Sequence, residues 1–451
     1  MGQFVRRVHF VGIGGVGMSG IAEVLRNLGY EVSGSDLKAS EITRRLERSG
    51  VRVHVGHAAS HARSAQVLVV SSAVAAGNPE VLWARRRNIP VILRAQMLAE
   101  LGRMKKTVTV AGSHGKTTTT AMAALAFQAA GARPTMIVGG RLKDSGSGAR
   151  LGLGDFLVAE ADESDGSFLY LSPLAAVVTN VDDDHLDYHG SLANLKRAFL
   201  QHLERLPFYG AAILCAEDPV LAALAGRVGR PVLTYGFGPR ADWRAAELEL
   251  SREGSRFLVL RQGRRDARLR LRVPGRHNVL NALGAFAAGR FLGLDAAGLA
   301  RGLSEFRGVG RRLDRLGVAG GVEFIDDYGH HPTEIAATLE AISRLWKPRR
   351  LVAFFQPHRY TRTRLLARKF GPAFRAADLV LVTDIYPAGE RPIPGVSSRL
   401  ILDSLRRAGV PCASLSGAGQ AEGLLREGDV ALTLGAGDIR ALGEELLRRR
   451  R

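Results

Sequence analysis

The amino-acid sequence predicts an α/β protein made of three successive domains, and three observations carry this prediction. Short apolar segments rich in β-branched residues alternate with longer helical patterns along all 451 residues, which is typical of parallel sheets. Two glycine-rich turns, at residues 12–17 and 112–115, each follow a predicted strand and open a predicted helix. The length corresponds to about three domains of ordinary size.

The composition excludes several classes of protein. Hydrophobic residues make up 46% of the chain, so it can bury sizeable cores and is not expected to be disordered. No apolar run is long enough to span a bilayer, and the N-terminus leads into a predicted strand without a signal-peptide pattern. Two scattered cysteines, Cys215 and Cys412, exclude a disulfide framework and suit a reducing cytoplasm. We therefore expect a cytoplasmic protein without a membrane partner.

The net charge of +20 is compatible with anionic partners such as nucleic acid, acidic lipid or phosphorylated small molecules. The positive charge is spread along the chain, apart from the arginines at residues 448–451. No stretch interleaves aromatic and basic residues as a stacking platform for nucleic acid would. We favour an ordinary solvated surface as the origin of the charge.

The first glycine-rich turn predicts a Rossmann-like site for a nucleotide diphosphate within residues 1–104. Residues 8–11 form a predicted strand, the glycines follow with the spacing G-x-G-x-x-G, and a helical pattern comes next. Gly12 would make the turn, Gly14 would admit a pyrophosphate, and Gly17 would allow close packing of helix on strand. The motif does not separate a nicotinamide cofactor from a UDP-sugar, so an NAD-dependent oxidoreductase and a turn without a ligand both remain alternatives.

Three further residues of this domain are candidates because they end predicted strands. Asp36 lies about 20 residues beyond the glycines, where a contact to a ribose belongs. Ser71 and Arg94 each follow a later apolar strand, and a doubly wound sheet meets its ligand at the carboxyl ends of its strands. Together with Gly15, they complete the predicted substrate-binding residues of this domain.

The second glycine-rich turn predicts a phosphate-binding loop in the central domain, residues 105–313. A β-branched strand leads into the sequence GSHGKTT at residues 112–118, and an alanine-rich helix follows. Glycines let backbone N–H groups face a polyphosphate, and the helix N-terminus adds partial positive charge. Lys116 would contact the β- and γ-phosphates, and the Thr117 hydroxyl would hold Mg²⁺. The spacing is shorter than the general G-x-x-x-x-G-K-[ST], so the order of strand, turn and helix carries the prediction.

Polar residues farther along the central domain are weaker candidates. Glu160 ends an apolar strand, and a carboxylate there can ligate the Mg²⁺ of a bound nucleotide. His185 follows another strand among several acids, where a metal ligand and an ordinary surface histidine are both possible. Asn281 opens a helix and could contact a base or ribose, although asparagine is also a common cap. Arg312 lies in a basic hinge, where it could reach a phosphate or face solvent.

Polar clusters follow almost every predicted strand of the last domain, residues 314–451. They lie at residues 326–332, 356–362, 384–390 and 435–438. Core packing does not need this arrangement, whereas a binding edge does. The sequence therefore predicts one sheet edge that is dense in His, Arg, Tyr and Asp.

Five segments occur in the order and register of the Mur ligases, and the chain resembles this family over nearly its whole length. They are GSHGKTT at 112–118, EADESD at 160–165, HNVLNA at 277–282, DDYGHHP at 326–332 and FQPHRYTRT at 355–363. The resemblance implies a Rossmann-like UDP-binding domain, a central P-loop ATPase-like domain, and a C-terminal Rossmann-like domain that brings in the amino acid.

The resemblance also implies an ATP-dependent ligase of peptidoglycan precursor synthesis. ATP would phosphorylate the carboxylate of UDP-N-acetylmuramate, and the amine of L-alanine would then displace the phosphate. Domain closure would exclude water from the acyl phosphate. The implied cofactors are ATP and Mg²⁺. Neither nucleic acid nor membrane is expected as a partner, and we expect a monomer or a weak dimer.

Roles for single residues follow from the same resemblance. Thr117 and Glu160 would hold one Mg²⁺, and Glu160 and His185 would hold a second. The nucleotide would be bound by Gly112, Ser113, His114, Gly115, Lys116, Thr117, Thr118, Asn281, Arg312 and Asp327. The sugar nucleotide would be bound by Gly12, Gly14, Gly15, Gly17, Asp36, Ser71 and Arg94. Alanine and the reacting carboxylate would be bound by Tyr328, His330, Arg359 and Arg362. The expected catalytic residues are Lys116, Glu160, His185, His330, Arg359 and Arg362.

Two departures from the family pattern and two alternatives complete the prediction. Leu313 replaces a hinge phenylalanine, and Leu200 stands where several sister ligases carry a carbamylated lysine, so no such modification is expected.

The closest alternative within the family is the recycling ligase that attaches a ready-made tripeptide to the same UDP-sugar, and Tyr328 favours free alanine. From a different class, the basic charge leaves a nucleic-acid-dependent P-loop ATPase as an alternative.

Overall fold

The computed structural model describes residues 4–71, 74–139 and 148–451, and the chain divides into two compact units. The larger unit consists of Met1–Glu249, Arg256–Arg272 and Asn278–Val309. The smaller unit consists of Leu250–Ser255, Val273–His277 and Gly310–Arg451. Three α/β sheets are present in the described residues, which confirms the predicted fold class. Among these residues, no helix is long and apolar enough to cross a bilayer.

The first sheet belongs to the larger unit and, as described, has five parallel strands in the order β3-β2-β1-β4-β5. The strands are β1 (Arg7–Val11), β2 (Glu31–Asp36), β3 (Arg52–Val55), β4 (Val67–Val70) and β5 (Val91–Leu93). The helices are α1 (Val16–Asn27), α2 (Glu41–Arg48), α3 (Pro79–Arg86) and α4 (Arg94–Arg103), and a 3₁₀ turn spans Ala59–Ala62. The strand order reverses beside β1, so the turn that follows β1 lies at a topological switch point.

The second sheet also belongs mainly to the larger unit and has ten strands in the part of the chain described. The strands are β6 (Lys106–Ala111), β7 (Thr135–Ile137), β8 (Ala149–Arg150), β9 (Phe156–Glu160), β10 (Ala175–Val178), β11 (Ala211–Cys215), β12 (Val232–Gly236), β13 (Trp243–Ser251), β14 (Gly254–Arg261) and β15 (Arg264–Leu271). The helices are α5 (Lys116–Ala129), α6 (Leu186–His189), α7 (Leu192–Glu204), α8 (Pro219–Ala225), α9 (Arg276–Phe291) and α10 (Ala296–Glu305). Because β6 pairs in parallel with both β9 and β10, the polar residues that follow these three strands reach the same sheet edge.

The third sheet forms the smaller unit, with six described strands in the order β16-β17-β21-β18-β19-β20. The strands are β16 (Asp314–Ala319), β17 (Val322–Asp327), β18 (Arg350–Phe355), β19 (Leu379–Val382), β20 (Cys412–Ser414) and β21 (Asp429–Leu434). The helices are α11 (Pro332–Trp346), α12 (Tyr360–Ala373), α13 (Arg399–Arg407), α14 (Ala418–Leu424) and α15 (Arg440–Arg449). The predicted hairpin is confirmed as the antiparallel pair β16–β17, and the remaining pairs are parallel.

Helix α5, which the phosphate-binding loop opens, is fixed in place by close backbone packing. Most of its residues are buried, and α10 packs against it through two glycines. A Cβ atom at Gly302 would lie 2.5 Å from the Leu125 carbonyl oxygen and 2.7 Å from the Ala126 Cα atom. A Cβ atom at Gly298 would lie 2.7 Å from the Ala130 Cα atom. Backbone atoms cannot yield as a flexible side chain can, so both positions require glycine.

This packing predicts that Gly302→Ala destabilises the larger unit by about 1–3 kcal/mol, because the added methyl group forces α10 away from α5. Urea unfolding followed by circular dichroism measures the change. Gly229→Ala is the matched control, since an added Cβ atom there meets nothing within 4 Å. Equal unfolding midpoints for the two variants would contradict the prediction.

Candidate functional site

The loop between β6 and α5 has the backbone geometry of a phosphate-binding loop. Gly112 and Gly115 have φ angles of 130° and 82°, which glycine adopts readily. A Cβ atom would lie 2.1 Å from Thr179 Oγ1 at Gly112, and 2.8 Å from Asn281 Oδ1 at Gly115. The loop therefore presses against the residues that follow β10 and against α9, and Asn281 lies beside its last glycine.

Residues just after β10 hold the loop by hydrogen bonds. The Ser113 amide donates to the Asn180 carbonyl oxygen at 3.0 Å, and the His114 amide donates to Asn180 Oδ1 at 2.9 Å. The Thr179 hydroxyl donates to the His114 carbonyl oxygen at 2.6 Å. His114 Nε2 lies 3.0 Å from Asp182 Oδ2. Sequence reasoning did not single out Thr179 or Asn180, because their partner His114 lies 65 and 66 positions away in the chain.

Lys116 is the first residue of α5, directly after the loop, and its side chain is bound by the protein itself. Its ammonium donates to the Gly112 carbonyl oxygen at 2.7 Å and to Glu163 Oε1 at 2.8 Å. Burial lowers the pKa of Lys116, but neighbouring carboxylates, foremost that of Glu163, raise it by more, so the pKa lies above its ordinary value. The site thus holds a permanent positive charge where the sequence predicts phosphate contacts.

Glu163 is a member of the site that sequence reasoning treated only as part of an acidic loop. Its side chain is fully buried in the larger unit, and burial raises its pKa to about 7 although Lys116 lowers it. In the sequence, Glu163 is marked by its position three residues after Glu160. An ordinary solvated acid can have the same position, so the sequence alone does not assign Glu163 to the site.

The predicted magnesium ligands have chemistry that suits the ion. Glu160 Oε1 accepts a hydrogen bond from the Thr117 hydroxyl at 3.1 Å, and Glu160 Oε2 accepts one from the Gly139 amide at 2.7 Å. Carboxylate and hydroxyl oxygens are hard ligands of the kind that Mg²⁺ prefers. His185 directly precedes α6 and has a left-handed conformation, and its Nε2 atom lies 3.8 Å from Glu163 Oε1. Thr117 and Glu160 are therefore brought together directly, and His185 lies beside Glu163.

The glycine turn after β1 gathers the residues that were predicted to bind a sugar nucleotide. The Gly12 amide donates to the Ser35 carbonyl oxygen at 2.8 Å, and the Gly14 amide donates to Asp36 Oδ2 at 2.8 Å. The predicted ribose-binding carboxylate is thus bonded to the turn itself. A Cβ atom at Gly17 would lie 3.0 Å from Arg94 Nη1, which shows that Arg94 lies against the start of α1.

Two more residues of this set lie at the same turn. A Cβ atom at Gly12 would lie 3.7 Å from Ser71 Cβ, so Ser71 borders the turn from the end of β4. The Gly15 amide donates to the Gly12 carbonyl oxygen at 3.2 Å.

A buried polar network lies beneath this turn, and sequence reasoning missed it. Glu80 of α3 has no solvent exposure, and its Oε2 atom bonds to His9 Nε2 at 2.9 Å and to the Ser35 hydroxyl at 2.8 Å. Its Oε1 atom lies 3.1 Å from His57 Nδ1. Because the Ser35 carbonyl oxygen holds the Gly12 amide, the network supports the turn. These contacts join residues from separate elements, so no local pattern indicated them.

In the smaller unit, the residues that follow β17 form a second polar cluster. Asp327 accepts hydrogen bonds from the Leu313 and Gly329 amides, both at 2.8 Å, and burial raises its pKa to about 6. Arg312 Cζ lies 5.2 Å from the centre of the Tyr328 ring, and Arg312 Nη1 donates a hydrogen bond to Glu334 Oε1 at 3.0 Å.

The loops after β17 and β18 meet through a group of aromatic and basic side chains. The rings of His330 and His358 lie 5.5 Å apart, and Arg362 Nη1 lies 3.3 Å from His358 Nδ1. The His358 ring also stacks on Tyr386 at 5.7 Å. Arg359 has a φ angle of 70°, which is rare for a residue with a side chain, and its amide donates to the Tyr386 carbonyl oxygen at 2.9 Å. Strained backbone of this kind is concentrated at functional sites.

Three family models together match most of the chain. Residues 7–106 match the model described as "Mur ligase family, catalytic domain", and residues 110–289 match "Mur ligase middle domain". Residues 311–437 match "Mur ligase, glutamate ligase domain". The chain belongs to the Mur ligase family. This confirms the resemblance and makes the protein an enzyme of an ATP-dependent ligase family.

Mur ligases of known name are similar to this chain from end to end. The UDP-N-acetylmuramate–L-alanine ligase of Acidithiobacillus ferrooxidans is 50% identical, and the match covers 99% of this chain and 98% of the relative. The enzyme of the same name from Syntrophotalea carbinolica is 52% identical, with coverage of 98% and 97%.

Solved structures of Mur ligases have the same fold. UDP-N-acetylmuramate–alanine ligase from Thermotoga maritima superposes with a TM-score of 0.80 at 32% identity, and the match covers 98% of each chain. A murein peptide ligase from Psychrobacter arcticus superposes with a TM-score of 0.72 at 25% identity, again over 98% of each chain.

The pKa of Asp327 predicts a pH dependence of stability. The carboxyl group has an ordinary pKa of 3.8 and a pKa of about 6 in the fold, so between these values the native state binds its proton more tightly than the unfolded state. The stabilisation from Asp327 is therefore complete below about pH 4 and is lost as the pH rises through about 6, at up to about 1.4 kcal/mol per pH unit.

Asp327→Asn removes this titration. We expect the unfolding free energy of the wild type, relative to that of Asp327→Asn, to fall between about pH 4 and pH 6 and to stay level above about pH 7. Urea unfolding across this range measures the difference, in which the titrations common to both proteins cancel. A difference that does not change with pH would contradict the assignment.

Proposed function

We propose that this Mur ligase joins L-alanine to the carboxylate of UDP-N-acetylmuramate, at the expense of ATP, in the synthesis of peptidoglycan precursors. The observation that carries the proposal is the match to enzymes of that name at 50% and 52% identity over nearly the full length of each chain. The phosphate-binding loop, with its buried Lys116, supports the use of ATP.

The chemistry explains why the reaction needs a nucleotide. A carboxylate is a poor electrophile at neutral pH, so its oxygen first takes the γ-phosphoryl group of ATP, which leaves ADP. The uncharged amine of L-alanine then adds to the carbonyl carbon of the acyl phosphate. The tetrahedral intermediate collapses to an amide and inorganic phosphate, and the amine gives up a proton. Phosphoryl transfer depends mainly on alignment and on neutralising charge.

Each part of the chain has a proposed role in this reaction. The ammonium of Lys116 would neutralise the terminal phosphates. Thr117, Glu160 and His185 would hold Mg²⁺, which neutralises further phosphate charge when it is bound. Further nucleotide contacts would come from Gly112, Ser113, His114, Gly115, Thr118, Asn281, Arg312 and Asp327.

The substrates would be recognised by the remaining predicted residues. The turn after β1 would bind the UDP group through Gly12, Gly14, Gly15, Gly17, Asp36, Ser71 and Arg94. The amino acid and the reacting carboxylate would be bound by Tyr328, His330, Arg359 and Arg362. An arginine pair suits a carboxylate because the guanidinium group donates two parallel hydrogen bonds.

The remaining parts of the proposal concern organisation. We infer a UDP-binding domain at residues 1–104, an ATP-binding domain at residues 105–313 and an amino-acid-binding domain at residues 314–451. A cytoplasmic location fits the intracellular origin of the substrates, and we infer a monomer or a weak dimer.

A tripeptide ligase is the second candidate within the family. The murein peptide ligase from Psychrobacter arcticus has the same fold, but its identity of 25% and TM-score of 0.72 are lower than the 32% and 0.80 of the alanine ligase from Thermotoga maritima. Free alanine is therefore the better supported acceptor.

The test is phosphate release from ATP, in the presence of Mg²⁺ and UDP-N-acetylmuramate, while the amine is varied. We expect turnover with L-alanine and none with the tripeptide. Glycine and L-serine should react about 10–200-fold less efficiently, since a methyl-sized difference contributes only about 1–3 kcal/mol of discrimination. Turnover that requires the tripeptide would replace the proposal by the second candidate.

Lys116→Ala tests the role of the phosphate-binding loop. We expect phosphate release to fall by at least about a thousandfold, because the charge on the terminal phosphates is no longer neutralised. The affinity for UDP-N-acetylmuramate, measured by calorimetry, should stay within about twofold, since the UDP group is assigned to the turn after β1. Lys369→Ala, at an exposed position on α12, is the control. Equal losses of turnover and sugar-nucleotide affinity would show that the two sites are not separate.

A further inference from the structure

Lys116 forms an ion pair with a residue for which the proposed reaction has no role. Both carboxylate oxygens of Glu163 lie 2.8 Å from the Lys116 ammonium nitrogen. The Glu163 side chain has no solvent exposure, and that of Lys116 is 11% exposed. A charge pair so far removed from water is not screened as a surface pair is.

The backbone that carries Glu163 is itself fixed. The Glu163 carbonyl oxygen accepts a hydrogen bond from the Gly166 amide at 3.0 Å and lies 2.8 Å from His189 Nε2. The carboxylate therefore approaches Lys116 from a defined position in the loop after β9.

Glu160, at the end of β9, and Asp162 and Glu163, just after it, are distinguished by their partners. Glu160 is bonded to the Thr117 hydroxyl and the Gly139 amide, and Asp162 Oδ1 accepts from the Ser164 amide at 3.1 Å. Glu163 is the acid whose carboxylate is hydrogen-bonded to the Lys116 ammonium. The neighbouring acids act on Lys116 only through space.

A nucleotide changes the balance of charge at this position. Its β- and γ-phosphates carry several negative charges and, in the proposed function, bind the same ammonium group. Like charges at such short distances repel strongly in a buried environment. A phosphate can form its strongest ion pair with the Lys116 ammonium group only if the Glu163 carboxylate no longer contacts that group.

We propose that Glu163 is an internal counter-ion of Lys116, which the terminal phosphates of the nucleotide must displace, so that this carboxylate weakens nucleotide binding. The inference rests on the proposed use of ATP. It assigns Glu163 two effects: it orients the Lys116 ammonium group, and it limits the affinity for nucleotides. The second effect favours release of ADP, because Glu163 competes for Lys116 as soon as the γ-phosphoryl group has gone.

The experiment measures equilibrium binding of β,γ-imido-ATP with Mg²⁺ to the full-length chain by calorimetry. Glu163→Gln keeps the size of the side chain and removes its charge. We expect this variant to bind the analogue at least about tenfold more tightly than the wild type, which corresponds to about 1.4 kcal/mol. Glu163→Asp keeps the charge on a shorter side chain, and its affinity should lie between the other two.

Asp162→Asn is the matched control, since it removes the same charge next to Lys116 without touching the ion pair. We expect it to tighten binding less than Glu163→Gln does. An equal gain in affinity in both variants would show that the effect comes from the total negative charge of the loop. It would overturn the specific role of Glu163. If Glu163→Gln does not fold, as judged by circular dichroism, the affinities of Glu163→Asp and wild type decide the question. Tighter binding by Glu163→Asp supports the proposal, and equal or weaker binding contradicts it.

Two outcomes separate this inference from the proposed function. Unchanged or weaker binding of the analogue by Glu163→Gln, with wild-type binding intact, would overturn the counter-ion role and leave the ligase proposal standing. It would assign Glu163 to positioning Lys116 instead. Failure of the wild type to bind the analogue at all would overturn the use of ATP itself.

Discussion

The constraint on which this structure depends is that charged groups buried at the ends of parallel strands must find partners within the chain. Removing one ion from water costs several kcal/mol unless another group compensates it. Lys116 meets this requirement through Glu163, and Glu160 meets it through Thr117 and the Gly139 amide. Binding of a substrate at such groups is therefore an exchange of partners, and its strength is a difference between two sets of contacts.

Close packing at glycines fixes the loop and the helix that carry Lys116. Gly298 and Gly302 bring α10 against the backbone of α5, while Gly112 and Gly115 bring the loop against Thr179 and Asn281. The two pairs act on the two ends of one strand–loop–helix unit, so Lys116 projects from a support with little freedom to move. Electrostatic stabilisation of a phosphate depends on such preorganisation, because reorienting the groups during the reaction would cost free energy.

How much of this was predictable from the sequence depends on the range of the interactions. The glycine turns, the strand ends and the Lys116 loop carry local signals, and the three sheets follow the predicted order of elements. Glu163 lies 47 residues from Lys116, and Glu80 lies 71 residues from His9, so their partners are fixed only by the tertiary fold. The extension of the central sheet by β13–β15 was likewise not anticipated, because β13 and β15 carry many charged or exposed residues and no apolar run.

Glu160 and Glu163 show how a residue with a local signal in the sequence differs from one whose role depends on long-range contacts. Glu160 ends β9, a position from which a carboxylate reaches the ligand edge, and this is visible in the sequence. Glu163 acts from within the loop, and its effect arises from burial beside Lys116 rather than from its place on a strand. In the proposed reaction, which releases ADP in every cycle, Glu160 would favour the bound nucleotide through Mg²⁺ and Glu163 would oppose it. Tight nucleotide binding alone would slow the release of ADP, and it would not accelerate the chemical step if it stabilised the bound substrate and the transition state equally.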